Sequence, residues 1–268
     1  LRFGEANMRN VNTEYTHYYA GYIKGEPKMS AEKIKRLVQE VSSLATSLPI
    51  HPDSSVFVRV DETRMDVMKC MIIGPQGTPY DNGCFEFHIY CPSNYPNSPP
   101  NVNLMTTGGG TVRFNPNLYN GGKVCLSLLG TWNGGPNENW NPKMSTLLQV
   151  LISIQSLIFV KEPYFNEPGY ESSMGTESGT QQSISYNEVI KIGTLKWALI
   201  DQLKNPSPGF EETIKAHFLL KKDAIRAQIA DWLIFAKESK SSGHYDQMVK
   251  LTDELEKELK KLEAESSK

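Results

Sequence analysis

No run of this sequence is long and apolar enough to suggest a bilayer span. A transmembrane helix needs about 18–20 such residues, and the most apolar helical stretch, residues 147–160, falls short. Cysteine is scarce as well. The four are Cys70, Cys84, Cys91 and Cys125; none forms a C-x-x-C pair, and His17, His51, His88, His217 and His244 are scattered. No zinc or other metal set is expected from that spacing. Cys84 and Cys91 sit seven apart in GCFEFHIYC, which a strand puts on opposite faces. A disulfide between them is geometrically poor, so free thiols in a reducing, cytoplasmic compartment are expected. Excess charge is missing too: the net value is -2, without the basic stripe of a nucleic-acid binder. The opening LRFGEANMRNVNTEY lacks the apolar core of a secretory signal, and its first residue, Leu1 rather than Met, points to a piece of something longer.

What is present suits a globular catalytic domain with additions: 268 residues, 39% of them hydrophobic. Residues 1–29 read as a polar, tyrosine-bearing extension or linker (Tyr15, Tyr18, Tyr19, Tyr22) ending near Pro27. From Ser30, a plausible N-cap, the positions Ile34, Leu37, Val38, Val41, Leu44 and Leu48 recur at helical spacing until Pro49 stops them. The period then changes to two. SVFVRV, MDVMKCMII, CFEFHIYC and NVNLM read as strands joined by gaps too short for helical crossovers, hence an antiparallel four-stranded meander. The fold class expected is therefore α/β of the α+β kind. Residues 108–143 form an irregular Gly- and Asn-rich passage, and a loop that long inside a compact domain points to a site. An apolar central helix over 143–160 follows, with Ser145 as its cap, then a Gly- and Ser-rich stretch over 169–183. Helical patterns close the chain, one with Phe210, Ile214, Phe218, Ile225, Ile229 and Trp232 on a stripe and one with Leu251, Leu255, Leu259 and Leu262 between charges.

Cys125 stands where the irregular passage gives way to an apolar run, in GGKVCLSLLGTW. Taken alone it has two readings, an inert core thiol or a nucleophile that neighbouring Lys123 helps to ionise. No histidine is near in sequence to serve as its base.

Several ordered blocks bear on that choice: GPQGTPY, then FEFHIYCPSNYPNSPPNV, then NPNLYNGGKVCLSLL with Cys125 eight positions after Asn117, then NWNPKMSTLLQVLISIQSL. Together they resemble the ubiquitin-conjugating (E2) family over about residues 30–200, and within it the large hybrid E2/E3 members. The resemblance implies that family's fold: N-terminal helix, antiparallel meander, active-site loop, central helix and, here, extra C-terminal helices. It divides the chain into an N-terminal extension (1–29), a catalytic domain (30–205) and a C-terminal helical extension (206–268). It also implies partners: ubiquitin, an E1 activating enzyme and protein substrates, with a larger parent chain and no membrane insertion. It further implies no bound cofactor, with ATP used only by the activating enzyme.

Roles follow from the same resemblance. Cys125 accepts ubiquitin as a thioester and hands it to a lysine. Asn117 matches the asparagine that stabilises the oxyanion, an effect of roughly 3 to 4 kcal/mol where it operates, or braces the loop that does. Asn115 replaces the family's histidine, which touches loop geometry more than chemistry. Ser127 stands where many members carry aspartate, so the incoming amine needs another carboxylate. Glu167 matches an acidic position at the active-site mouth and orients the attacking lysine, or is simply a solvated loop residue. The loop 130–140 is longer than in minimal members; its Trp140 reads as packing, whereas Trp132 either contacts ubiquitin or substrate or covers the sheet edge. Asn97 replaces an apolar anchor for separate ligases. A catalytically inactive module that binds ubiquitin or a conjugating partner is the alternative reading.

Overall fold

The structure is a computed structural model that describes residues 1–26, 28–135, 137–238 and 242–266; Pro27, the expected end of the extension, and Pro136 in the long loop lie outside them. Elements run in the order β1 (Phe3–Ala6), α1 (Ala20–Gly25), α2 (Ala31–Ser47), β2 (Ile50–His51), β3 (Ser54–Asp61), β4 (Val67–Ile73), β5 (Cys84–Tyr90) and β6 (Asn101–Leu104). The irregular passage follows, then α3 (Leu147–Ser153), α4 (Glu177–Gly193), α5 (Asp201–Lys204), α6 (Glu211–Glu238) and α7 (Ser242–Ser266). Wider, π-type turns extend α3 through Ile158 and join α4 to α5.

The expected meander is there. β3, β4, β5 and β6 pair antiparallel in sequence order, and Val58, Cys70, Phe87 and Leu104 line up across them as one row facing α2 and α3. The strand β1 is an addition: residues from the extension pair parallel with β3 at its edge. Further along the extension, Met8, Tyr19 and Ile23 are buried against Val67 and Tyr90, so the tyrosine-bearing segment packs on the body.

Alternation in β4 and β5 suggests one wet face, yet every residue of both strands is buried. The second face meets α6 and α7. Met71, Ile73 and Cys84 join Phe210, Ile214, Phe218, Ile225, Ile229, Trp232, Leu251, Leu255 and Leu259 in a second core. Cys84 and Cys91 thus fall in different cores, as their spacing implies. The polar residues of that face are satisfied rather than solvated: Arg59 Nε donates to Gly209 O (2.9 Å), Lys69 Nζ to Pro208 O (3.4 Å) and Ser207 Oγ to Glu86 Oε2 (2.7 Å). Among the described residues no helix is long and apolar enough to cross a membrane.

Two local expectations need correction, and one stretch gains a structure. Ser30 caps α2 as anticipated, accepting from Lys33 N, and Leu37, Leu44 and Leu48 are buried with Val41 packed on the core, but two residues of the apolar list are not on the buried face. Ile34 and Val38 are 39% and 49% exposed, while Lys33 and Glu40 are buried. Ion pairing explains the exchange, since Lys33 Nζ lies 2.7 Å from Asp66 Oδ2, and a buried charge is tolerated when paired and hydrogen-bonded. The cap of α3 is Thr146, not Ser145: Thr146 and Gln149 form a reciprocal capping box, because the Ser145 hydroxyl already accepts from Asn141 N. The Gly- and Ser-rich stretch over 169–183 is helical from Glu177, with Thr176 accepting from Gly179 N; the glycines and serines conceal a capped start.

Glu40 joins three elements. Its Oε1 accepts from Arg36 Nε and from Tyr95 Oη, both at 2.8 Å, and its Oε2 from Leu147 N at 3.0 Å, the first amide of α3. A carboxylate at a helix N-terminus satisfies an amide that has no partner within the helix. Replacing Glu40 by Gln leaves Arg36 facing a neutral group, and breaking such a buried pair costs about 3 kcal/mol. Urea unfolding of Glu40→Gln is therefore expected to lose that amount; a loss below about 0.5 kcal/mol, the range of a surface change, would remove Glu40 from this role.

A second network locks the extension onto the sheet. His17 stacks on His88 with ring centroids 4.4 Å apart. Tyr18 N donates to His88 Nδ1, leaving Nε2 to carry the proton toward Glu86 Oε1 at 2.9 Å. Burial, together with His88 beside it, lowers His17 to about 3. Burial works against ionising Glu86, but hydrogen bonding and charge from His88 and Lys69 prevail and hold it at about 2. Both folded values lie below the unfolded ones, so the unfolded chain binds more protons and stability falls on acidification. The His17 contribution is complete above pH 6.5 and lost toward 3; that of Glu86 is complete above 4.5 and lost toward 2. The thermal midpoint should drop as pH falls from about 6.5 to 4, and drop less steeply in His17→Gln. Equal slopes would contradict the assignment.

Candidate active site

The irregular passage is held by one amide. Asn115 is fully buried; its Nδ2 donates to Ile158 O (2.8 Å) and Tyr80 Oη (3.3 Å), and its Oδ1 accepts from Asn117 N (2.8 Å) and Asn166 Nδ2 (3.3 Å). The carbonyls of a helix's last turn lack partners within it, and Asn115 takes one of them at the end of the α3 extension. Asn166 Nδ2 takes a second, Leu157 O, at 3.1 Å. Tyr80 donates to Phe114 O at 2.6 Å, so three separated segments meet at this residue.

From that anchor the chain reaches Asn117 and Cys125, which are tied twice: Asn117 Nδ2 donates to Cys125 O (3.0 Å), and Cys125 N donates to Asn117 O (2.9 Å). The spacing of eight read in the sequence is thus the closing distance of a loop. Thr131 braces the other side, donating to Val124 O (2.6 Å) and accepting from Leu126 N (3.0 Å). Gly122 makes the turn before the cysteine possible. Its φ is +89°, and a Cβ there would fall 2.4 Å from Leu104 O.

Cys125 is 2% exposed. Burial pushes its thiol above the ordinary value, against the pull of the Lys123 and Arg113 cations. Each histidine is engaged elsewhere: His17 with Met68 O, His88 with Glu86, His217 with Asn82 O, His51 with Asp53 and His244 with Glu188. Deprotonation of Cys125 is therefore governed by burial and the two cations, not by a neighbouring imidazole.

The remaining positions divide into two groups. Ser127 opens a 3-10 turn just past the cysteine and donates to Glu138 Oε2 at 3.4 Å, bringing a loop glutamate to the site. Trp132, in the same loop, is 36% exposed, whereas Trp140 donates to Pro96 O at 2.7 Å and packs on Tyr95. Glu167 lies in a notch with Arg113, Pro116, Tyr164, Tyr170 and Tyr186 and pairs with Arg113 at 3.4 Å. Sequence reasoning missed Tyr80, Thr131 and Asn166 as supports. Only the TPY of the first block offered a signal for one of them. A groove of about 820 Å³ between β3 and α6, around Phe57, Ile73 and Leu220, contains none of these residues. Among the described residues no cluster suits a metal ion.

A mixed sheet flanked by helices, with a cysteine closed against an N-P-N loop, defines a class. Residues 36–192 match the ubiquitin-conjugating enzyme family, and the chain belongs to it. More particularly, it is 53% identical over 254 residues to the dual E2 ubiquitin-conjugating enzyme/E3 ubiquitin-protein ligase BIRC6 of Homo sapiens, an alignment covering 92% of this chain and 5% of that protein. A probable ubiquitin-conjugating enzyme of Acanthamoeba polyphaga mimivirus is 46% identical over 94% of this chain and 18% of its own length. Probable ubiquitin-conjugating enzyme protein 17 of Caenorhabditis elegans is 52% identical over 75% of this chain and 28% of its own. The chain thus spans a small part of the relatives it matches.

The raised thiol is directly measurable. Alkylation of Cys125 by iodoacetamide should show a pH midpoint above that of a free cysteine, about 8.5, and Lys123→Ala should move it higher. Cys70, Cys84 and Cys91, fully buried, should stay unmodified in the folded protein. A midpoint near 7 would contradict this account.

Proposed function

We propose that this chain carries out E2-type ubiquitin transfer, with Cys125 as the thioester-forming residue. The Cys125 thiolate attacks the carbonyl of ubiquitin's thioester with the activating enzyme, whose own thiol leaves. A substrate lysine, as free amine, then attacks the new thioester; its nitrogen bonds to the carbonyl carbon, Cys125 departs as thiolate, and the spare proton passes to solvent. The reading rests above all on the doubly hydrogen-bonded Asn117–Cys125 pair inside the family-matched region.

Asn117 donates to the Cys125 carbonyl, which favours the bracing role; Asn115 supports the loop from beneath. Glu167, tied to Arg113, gates the mouth of the site more through shape than through free charge. Trp132, half-exposed in the same loop, offers a contact for ubiquitin or substrate. Residues 30–205 form the conjugating unit, with 1–29 and 206–268 as extensions that the unit packs against. Identity to a dual E2/E3 relative, over a small fraction of its length, supports membership in a larger cytoplasmic hybrid whose other regions choose substrates.

The low exposure of Cys125 favours one rival, a noncovalent ubiquitin-binding module. Mixing the chain with activating enzyme, ATP and ubiquitin separates the two. A reducible adduct should form with the native chain, vanish in Cys125→Ala and persist as a reductant-resistant ester in Cys125→Ser. Absence of any adduct with the folded chain, given an activating enzyme that charges another conjugating enzyme, would favour the binding module.

A further inference from the structure

Lys191, in the last turn of α4, is a cation with no ion pair among the described residues. Its ammonium lies 4.6 Å from the ring centroid of Phe235 and 5.5 Å from that of Trp232, both on α6. Ring faces attract a cation but do not neutralise it. Glu188 acts on Lys191 as a charge, yet its carboxylate lies 3.2 Å from His244 Nδ1 instead. Burial lowers the Lys191 pKa from the ordinary lysine value, against that pull. A desolvated ammonium of this kind is costly unless something pairs with it.

Lys191 lines a cavity of about 240 Å³ between α4, α6 and the turn before Tyr80. Lys161 adds a second cation, Asn187 stands on the wall, and Pro79, Ile184, Trp232 and Phe235 supply apolar surface. Asn187 Nδ2 donates to Lys161 O at 3.0 Å, while its Oδ1 is buried and accepts from no group of the protein. Most buried polar atoms have a partner, so an orphan is a sign of one to come from outside. The walls are fixed in advance, since Thr194 Oγ1 donates to Pro79 O (2.9 Å) and Thr78 Oγ1 to Pro75 O (2.6 Å). No arginine is among the lining residues, so the planar fork that suits a phosphate is missing. The volume also falls below the roughly 300 Å³ at which sites for drug-sized ligands begin. It suits one amino-acid residue.

We propose that this cavity binds the C-terminal residue of a partner polypeptide, its carboxylate held by Lys191 and Lys161, its apolar side chain on Trp232 and Phe235, and its amide N–H toward Asn187. A chain terminus carries all three groups on a single Cα, which is what so small a space can hold. The residues before it leave through an adjoining cavity of about 420 Å³, which shares Gly77 and Trp232 with the first and is lined by the small side chains of Ala224 and Ala227. None of these residues belongs to the Cys125 site, and the inference stands apart from the conjugating reading. Pro79 nonetheless precedes Tyr80, whose hydroxyl meets Asn115, so the occupied cavity abuts a support of the active-site loop.

The test titrates the full chain, labelled with nitrogen-15, with acetyl-Gly-Gly-Leu, with the same peptide as its C-terminal amide, and with sodium acetate. The readout is the indole N–H signal of Trp232, assigned by its loss in Trp232→Phe. The free acid should shift that signal saturably, and the amide should bind at least tenfold more weakly, the loss of one hydrogen-bonded charge pair. Lys191→Met should weaken the free acid about tenfold while the other three indole signals stay in place, showing an intact fold. Should they move, Lys161→Met, at an exposed position, carries the same comparison, with a several-fold weakening expected. Equal binding of acid and amide, no saturable shift, acetate binding as tightly as the peptide, or native affinity in a folded lysine variant would each overturn the proposal.

Discussion

The site depends on a single buried amide. Asn115 has no exposure to solvent, so each polar atom it carries must find its partner inside the protein or leave a costly unpaired group. It does so by joining the end of the α3 extension, the Tyr80 hydroxyl and the backbone of its own loop. An irregular passage of this length has many conformations to lose. Fastening it in its first third to two rigid elements fixes where Asn117 sits, and Asn117 in turn fixes the backbone at Cys125. A planar amide with two donors and two acceptor positions can serve several neighbours at once.

Glu40 plays the matching part at the other end of α3. One carboxylate satisfies the helix's first amide, the Tyr95 hydroxyl and Arg36, while Arg36 also donates to Pro142 O (3.2 Å) and to the Ser145 carbonyl. Both termini of the central helix are therefore held by side chains from outside it. Motif blocks far apart in sequence become neighbours at these two points: Tyr80 with Asn115, and Tyr95 with both Glu40 and Trp140. The proline-rich stretch after β5 and the tryptophan before α3 share one hydrogen bond, from Trp140 to Pro96.

Legibility from sequence followed the physics of each element. The four meander strands were readable because period-two patterning and short gaps admit few other arrangements. The cysteine and its asparagine were readable as a spacing, though their mutual hydrogen bonds were not. What stayed hidden involved polar groups doing the work of apolar ones. Lys33 and Glu40 look like solvent positions until their partners are known, and their burial is what turns Ile34 and Val38 outward. Ser145 and Thr146 are equally good caps in sequence, and only the prior engagement of Ser145 with Asn141 decides between them. The same holds for β4 and β5, where Lys69, Glu86 and His88 suggest water but meet the chain around residues 207–209 and, through His88, the extension. Glu138 was readable only as a member of the loop past the cysteine, since its approach to Ser127 depends on a glycine fitting a gap.

The double-sided burial of the sheet also bears on how the chain folds and how it can be cut. Met71, Ile73 and Cys84 belong to a core whose other members come almost entirely from beyond residue 190, while Cys70, Ile72 and Phe85, alternating with them on the same strands, belong to the first core. A sheet shared in this way couples its two layers, because removing either wets the same backbone. Truncation between α5 and α6 would strip an apolar face and strand the Arg59, Lys69 and Glu86 partners together. A large apolar patch exposed in that way invites aggregation. We propose that the helical extension and the catalytic layer melt together, across the boundary that the family resemblance implies near residue 205.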